Sequence, residues 1–468
     1  MTTPLLWAVI TAGVSSKRPQ VTVHRVQTWL GRSGAIPIYL KLVVNERLSE
    51  DVSLLISIRD HIRHWGGMTL ITGSHEIARQ VMVFLMGSSS ERLDHFSCLF
   101  LMAGSPLSDN FQEEQEPNEG NSNAHADITD VFRVLAQANA GHLRELILGA
   151  AALPYRVWQP AIMDSPFSVY PTKSMLSSVT LSLPSLQTLR LFERSSNVAE
   201  IGASSILHLL AKCPSLRTFI FRGSNLFDPH GVHGMFPIDL PHLRTLHLCQ
   251  TFHQRIILSH LHTPKLNTLR LMWLNRPERL VDESYEPDSE ERMEEEAEFS
   301  QSPWTDLLTG SGIRSLIRHT RLMYGLAPPI TVLDMDFADI RSPKDFVWVF
   351  EHLPLLEEFR IVGSDMSDKV LLALASQRKI DSGREEWLCP CLRRLEFSRC
   401  DIITGLGIIS LAKARNPPIE SDIAHMEGQP ARLEKFMVDG CGRIDCESVA
   451  VLQYIMGDVC FDVEPMEW

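Results

Sequence analysis

"LRRLEFSRCDIITGLGIISLA", Leu392 to Ala412, changes its hydrophobic period part-way along. Leu392, Leu395 and Phe397 suit a short strand, whereas Ile408, Leu411 and Ala412 fall on one helical face. Cys400 sits at the seam between the two patterns. A strand turning directly into a helix exposes an apolar face on each element, and so short a segment cannot bury both. It needs neighbours of its own kind.

The rest of the chain supplies them. The template L-x-x-L-x-L, with Phe, Ile, Val or Met standing in for Leu, recurs as "LRELIL" at Leu143, "LQTLRL" at Leu186, "LRTFIF" at Leu216, "LRTLHL" at Leu243 and "LNTLRL" at Leu266. It continues as "ITVLDM" at Ile330, "LEEFRI" at Leu356, "LRRLEF" at Leu392 and "LEKFMV" at Leu433. Weaker copies stand earlier, at Pro37 ("PIYLKL"), Trp65 ("WGGMTL") and Phe96 ("FSCLFL"). Several copies are led by Pro, as in "LPSL", "CPSL", "LPHL", "TPKL", "LPLL" and "CPCL". From Leu186 to Leu266 the spacings are 30, 27 and 23 residues, room for one strand, one turn and one helix. "ASSILHLLAKC" (203–213) and "DKVLLALASQ" (368–377) carry the helical spacing that should follow, while "QRKIDSGREEW" and "RNPPIESDIAHMEGQPA" read as loops. The expected fold is α/β: a leucine-rich-repeat solenoid shaped as a horseshoe, with a parallel sheet on the concave face and helices on the convex face.

Composition narrows the function. The chain has 468 residues, 44% of them hydrophobic, and a formal net charge of -13. Much of that charge is local, because residues 278–298 hold 11 Asp and Glu against 2 Arg. A near-neutral body with an acidic appendage offers no electrostatic footprint for nucleic acid. The acidic tract and "DNFQEEQEPNEGNSN" (109–123) lack hydrophobic periodicity and read as solvated inserts, at about residues 278–303 and 105–127. Nine scattered cysteines without any Asn-X-Ser/Thr sequon fit a reducing compartment, hence a cytoplasmic or nuclear location. No apolar run reaches the roughly 18 residues of a membrane span. "LLWAVITAG" (5–13) has no basic residue before it and reads as buried structure rather than a leader.

Chemical motifs do not assemble. Cys389 and Cys391 could pair with Cys400 around a metal, but Cys389 fills the same pre-proline slot as Cys213 and Leu353, and no close Cys or His pair completes a tetrahedral set. "CGRIDC" (441–446) lacks redox spacing, and His61 and His64 lie at a helix end beside Trp65. Phosphate-cradling glycine loops and the nucleophile elbow are missing. The expectation is a non-enzymatic protein with no catalytic residue, metal or cofactor.

The repeat around Cys400 resembles the cysteine-containing class of leucine-rich repeat, in which the cysteine replaces the asparagine of other classes at the turn out of the strand. Leu392, Leu395, Phe397, Cys400, Ile403, Thr404, Gly407, Ile408, Leu411 and Ala412 match its pattern, and Gly405 stands where that class has an acid, leaving the helix cap to Thr404 alone. Cys441 and Ile444 repeat the match, and Ser364 takes the cysteine position in "LEEFRIVGSDMSDKVLLALA". Cys400 is therefore expected to be a small buried hydrophobe. The class is typical of F-box leucine-rich-repeat proteins. "TPLLWAVI" (3–10) and "VQTWLGRSGAIPIYLKL" (26–42) resemble the segment following the F-box in the fungal branch of that family. The resemblance implies residues 1–45 as a cap on the solenoid, residues 46–468 as the repeat domain, and a role in binding substrates for an SCF-type ubiquitin ligase. The F-box itself would precede Thr3, where only Met1 and Thr2 stand, so adaptor and cullin are expected partners only of a chain with an F-box upstream. The alternative is an interaction scaffold without a ligase role.

On either reading the residues between the inward leucines form the recognition surface for an unidentified protein, with the chain itself a monomer. The central column would be Arg190, Ile220, His247, Arg270, Asp334, Arg360, Glu396 and Met437, and its charged and histidine members are the candidate protein-binding residues. The column before it would be Thr188, Thr218, Thr245, Thr268, Val332, Glu358, Arg394 and Lys435.

Overall fold

A computed structural model describes residues 9–14, 19–44, 52–72, 75–86, 93, 95–103, 142–149, 183–192, 203–223, 237–249, 254–272, 309–336, 343–364, 366–379, 385–417 and 429–457. The expected inserts at 278–303 and 105–127 lie outside them, as does most of "RNPPIESDIAHMEGQPA". The chain divides into two compact units, Met1–Ser224 with Asp228–Gly231, and Asn225–Phe227 with Val232–Trp468. The architecture is mixed α/β, with parallel strands in both units.

The first unit carries seven strands in chain order: β1 (Val9–Val14), β2 (Ile38–Val44), β3 (Trp65–Thr72), β4 (Cys98–Ala103), β5 (Glu145–Gly149), β6 (Thr188–Phe192) and β7 (Thr218–Arg222). Helices α1 (Pro19–Ser33), α2 (Val52–Arg59), α3 (His75–Met86) and α4 (Ala203–Ala211) belong to the same unit. Ile10, Leu40, Met68, Leu99, Leu146, Leu189 and Phe219 share one register row, each no more than 2% exposed. The earliest weak copy, at Pro37, therefore supplies the second strand of this unit, and Val9–Val14 pairs in front of it.

In the second unit six strands pair in parallel: β9 (Thr245–Cys249), β11 (Thr268–Met272), β12 (Val332–Asp336), β13 (Glu358–Val362), β16 (Arg394–Ser398) and β17 (Lys435–Asp439). Leu246, Leu269, Leu333, Phe359, Leu395 and Phe436 form its buried row, as the template spacing requires. The helices are α5 (Gln254–Ser259), α6 (Thr309–Tyr324), α7 (Pro343–Glu351), α8 (Asp368–Leu374), α9 (Gly405–Arg415) and α10 (Cys446–Met456). Phe350 of α7 meets Phe359 edge-on with ring centroids 5.0 Å apart, which puts that helix on the leucine face of the sheet. Two short strands, β8 (Ile238–Asp239) and β10 (Leu261–His262), pair in parallel just before the turns into β9 and β11.

The proline that leads many copies has a local reason. In each, the template's first residue donates its N–H to the carbonyl three residues back: Leu186 to Leu183, Leu216 to Cys213, Leu243 to Leu240, Leu266 to Thr263, Leu356 to Leu353 and Leu392 to Cys389, at 3.0–3.2 Å. Proline then occupies the second position of a four-residue turn, where its fixed φ is already correct and no N–H is needed. Cys213 and Cys389 fill the first position of such turns and are fully buried, and burial pushes both thiols up to about 12.

Two local expectations fail. "QRKIDSGREEW" is not simply a loop: β14 (Gln377–Lys379) and β15 (Glu385–Trp387) pair antiparallel as a hairpin. The strongly charged segment concealed it, because Lys379 pairs opposite Glu385 and Arg378 opposite Glu386, a cross-strand match that no apolar alternation announces. Nor is Thr404 the cap of α9. Its side chain makes no cap bond; its N–H and Oγ1 instead donate to the two carboxylate oxygens of Asp368, at 2.8 and 2.6 Å. The acid absent from position 405 is replaced by one from the start of α8, and the helix end is tied to its neighbour. Asp368→Ala should lower stability by about 1–2 kcal/mol through loss of both bonds. If urea unfolding of that variant matched wild type, the link would be ornamental.

Candidate functional site

On the five-residue strands the first, third and fifth residues face away from the leucine rows. In the second unit the third positions run His247, Arg270, Asp334, Arg360, Glu396 and Met437 in direct register. Five of the six predicted site residues thus lie in one row. Parallel strands stand about 4.8 Å apart, so side chains of neighbours in this row reach one another. They use that reach. Arg360 donates from Nε to Glu396 Oε1 at 2.8 Å and from Nη1 to Asp334 Oδ1 at 3.1 Å, while Arg270 Nε stands 3.9 Å from Asp334 Oδ2. Burial works against the Arg360 charge, but the two carboxylates outweigh it and hold its pKa above the ordinary value. In the column before, Arg394 donates to Glu358 at 2.6 Å, and just outside it Arg393 donates to Glu434 at 2.9 Å.

The mixture of signs read from the sequence is therefore a self-paired ladder. Two arginines and two carboxylates balance, and partly exposed pairs of this kind contribute only about 0–1 kcal/mol each. Arg270 is the member most available to a ligand, with half of its side chain exposed and only the long contact to Asp334.

His247 ends the row, with Nε2 3.0 Å from Met272 Sδ. Burial lowers its pKa, the Arg270 charge lowers it further, and Asp334 opposes both. A depressed pKa means that, as pH falls below 6.5, the unfolded chain takes up a proton that folded His247 resists. Stability should accordingly decline from pH 6.5 downward until the folded value is passed, and His247→Gln should flatten that decline, measured as melting temperature against pH. His262, whose pKa burial also lowers, sets the slope that remains.

Arg190 lies apart from these residues, in the third row of the first unit, between Ile147 and Ile220. Its Nε is buried without a hydrogen-bond partner among the described residues. The row around it reads Thr11, Lys41, Thr69, Phe100, Ile147, Arg190 and Ile220, and the next outward row adds Val43, Ile71, Met102 and Phe192. These apolar members are half-buried. The outward face of the first unit is thus largely apolar with isolated cations, not Thr-rich as its strongest repeats suggest. The signal was present in the weak copies at Pro37, Trp65 and Phe96, whose outward positions are Tyr39, Lys41, Thr69, Ile71, Cys98, Phe100 and Met102.

Of the described cysteines, Cys400 and Cys441 lie together. Cys400 is fully buried, its Sγ donates to the Ser398 carbonyl at 3.4 Å, and its N–H donates to Cys441 Sγ at 3.3 Å. The contact with Cys441 and burial both push its thiol up, so it stays protonated and does not act as a nucleophile. Among the described residues, no group of three or more His, Cys, Asp or Glu is arranged to hold a metal ion. No described helix is long and apolar enough to cross a membrane. Comparison with protein-family models and with curated proteins finds no match for this chain.

Proposed function

We propose that this chain is a leucine-rich-repeat solenoid that recognises another protein on its strand face, without catalysis, as the substrate-binding part of an SCF-type F-box ubiquitin ligase. One observation carries the recognition reading: within each unit the same template position falls in the same register row, strand after strand, so a line of outward side chains is presented on a rigid sheet. Rigid presentation lowers the entropic cost of binding, and alternation of apolar patches with charge selects the partner. The ligase part rests on the cysteine-class repeats at Cys400 and Cys441 and on the resemblance of residues 3–10 and 26–42 to post-F-box segments.

The test is affinity capture of the tagged protein from cells, using the coding sequence with whatever F-box precedes it, beside Arg190→Glu and Arg270→Glu variants. Adaptor and cullin recovered with all three proteins, together with one further protein lost from either variant, are the expected results. Capture of that further protein without adaptor or cullin would reduce the function to a scaffold with no ligase role. If the variants retained it, the strand face would not be the recognition surface.

A further inference from the structure

Away from the strand face, helices α6 and α7 enclose a groove of about 550 Å³ lined by Ile317, Arg318, Arg321, Leu322, Trp348 and His352. Its chemistry is one-sided. The 16 residues of α6 include Arg314, Arg318, His319 and Arg321 and no Asp or Glu. Arg314 and Arg318 reach over the Trp348 ring at 5.0 and 5.5 Å, and His352 stacks on the same ring at 3.9 Å with an interplanar angle of 19°. These contacts hold the cations to one aromatic platform without neutralising them. Arg318 and Arg321 are exposed, and among the described residues neither meets a carboxylate. Three other exposed arginines of this unit are paired, Arg378 with Glu351, Arg393 with Glu434 and Arg394 with Glu358, whereas Arg244, Arg399, Arg432 and Arg443 meet no carboxylate among the described residues.

Leu322, which lines the groove, is followed along the chain by two further exposed aliphatic residues. Leu322 is 81% exposed, Met323 63% and Leu326 75%, three large hydrophobic side chains within five residues. A surface joining unpaired guanidinium groups to protruding aliphatic side chains matches a ligand with carboxylates beside apolar residues. Nucleic acid fits poorly, because the stacking surface of Trp348 is shared by His352 and two guanidinium groups, and the aliphatic side chains would meet phosphates.

From this we propose that the groove between α6 and α7 is a second docking site, which takes an acidic peptide segment of a partner protein bearing aliphatic side chains among its carboxylates. Arg318 and Arg321, one turn apart on the helix, engage neighbouring carboxylates, and Leu322, Met323 and Leu326 receive the apolar side chains. This chain's own acidic tract, 282–298, is a poorer match, since among its nonpolar residues, Tyr285, Pro287, Met293 and Ala297, only Met293 is a long aliphatic side chain.

The probe is a fluorescein-labelled synthetic peptide of Glu interspersed with Leu, titrated with the full chain and followed by fluorescence anisotropy, beside the same peptide with Gln for Glu. Binding should require the Glu form and should weaken about tenfold in Arg318→Glu and again in Arg321→Glu, equivalent to about 1.4 kcal/mol each. Arg321→Glu should melt as wild type does, and Arg318→Glu, which gives up its place over the Trp348 ring, only slightly below it. Arg270→Glu, on the strand face, should bind the peptide unchanged, so this test stands or falls separately from the recognition reading above. No binding, equal binding of the Gln peptide, or undiminished binding by both charge-reversed variants would overturn the proposal. So would binding that appears only after residues 282–298 are deleted, since the groove would then belong to the chain's own acidic tract.

Discussion

Arg415→Met should lower the folding free energy by about 3–5 kcal/mol, a larger loss than any surface charge in this protein could cause. Arg415 closes α9 and is 1% exposed. Among the described residues no carboxylate pairs with it. Its Nε and Nη2 donate to the Leu374 carbonyl at 3.2 and 3.1 Å, Nη2 also to the Leu388 carbonyl at 2.5 Å, and Nη1 to the Cys389 carbonyl at 3.0 Å. The guanidinium lies 5.7 Å from the Trp387 ring centroid. Leu374 ends α8, while Leu388 and Cys389 lead the turn into β16, so one side chain satisfies the orphan carbonyls of a helix end and of a turn together. Burial brings its pKa down to about 10, so the group remains charged at neutral pH and its bonds are charge-assisted. Methionine would fill much of the volume but leave the Leu374 and Leu388 carbonyls without donors, while that of Cys389 would keep only the Leu392 N–H. Lysine should recover little, because one ammonium cannot present the planar fork that these three acceptors require. Chemical denaturation measures the loss, and an Arg415→Met protein within about 1 kcal/mol of wild type would show that water replaces the guanidinium.

A second large effect should follow from adding a single carbon. Gly405→Ala should destabilise by about 2–3 kcal/mol, because a Cβ there would lie 1.9 Å from Ser448 Oγ and 2.4 Å from Ser448 Cβ. Ser448 is held in place: its N–H donates at 2.7 Å to Asp445, the residue that caps α10. The alanine could be accommodated only by moving α10 away from α9. Adding Ser448→Gly should restore most of the loss, and the coupling between the two substitutions separates this contact from any general effect on helix propensity. If the double variant were no more stable than Gly405→Ala alone, the helices would not meet at this point.

The glycine at 405, read from the sequence as a missing cap, is thus where α10 comes too close to α9 to leave room for a Cβ. Which of these features could be anticipated depended on how far apart the interacting residues lie along the chain. The leucine rows were legible because each template contains its own spacing, even in the weak copies at Pro37, Trp65 and Phe96. β1 was not, since "VITAGV" lacks the template and owes its place to pairing with β2. The identities of the outward row were readable for the same reason as its leucines. That Arg360 would be engaged by Asp334 and Glu396 was not, because each partner lies 26 or more residues away and pairs only through the parallel register. Arg415 was hidden more thoroughly: a cation near a helix C-terminus ordinarily reads as a solvated group favoured by the helix dipole. Only its carbonyl partners, two of them 26 and 27 residues earlier and the third 41, reveal a buried one.

The ladder of Arg270, Asp334, Arg360 and Glu396 has a kinetic consequence. Its charges change sign at every strand, so the field repeats over about two strand spacings, roughly 10 Å, and fades over only a few ångströms from the surface. That is shorter than the roughly 8 Å over which physiological salt screens charge, so a protein approaching this face has little long-range guidance. Encounter should proceed at the unsteered rate of about 10⁵–10⁶ M⁻¹s⁻¹ and change little with ionic strength. Discrimination would then fall to the dissociation step, after the surfaces have touched and the ladder has either kept its internal pairs or exchanged them.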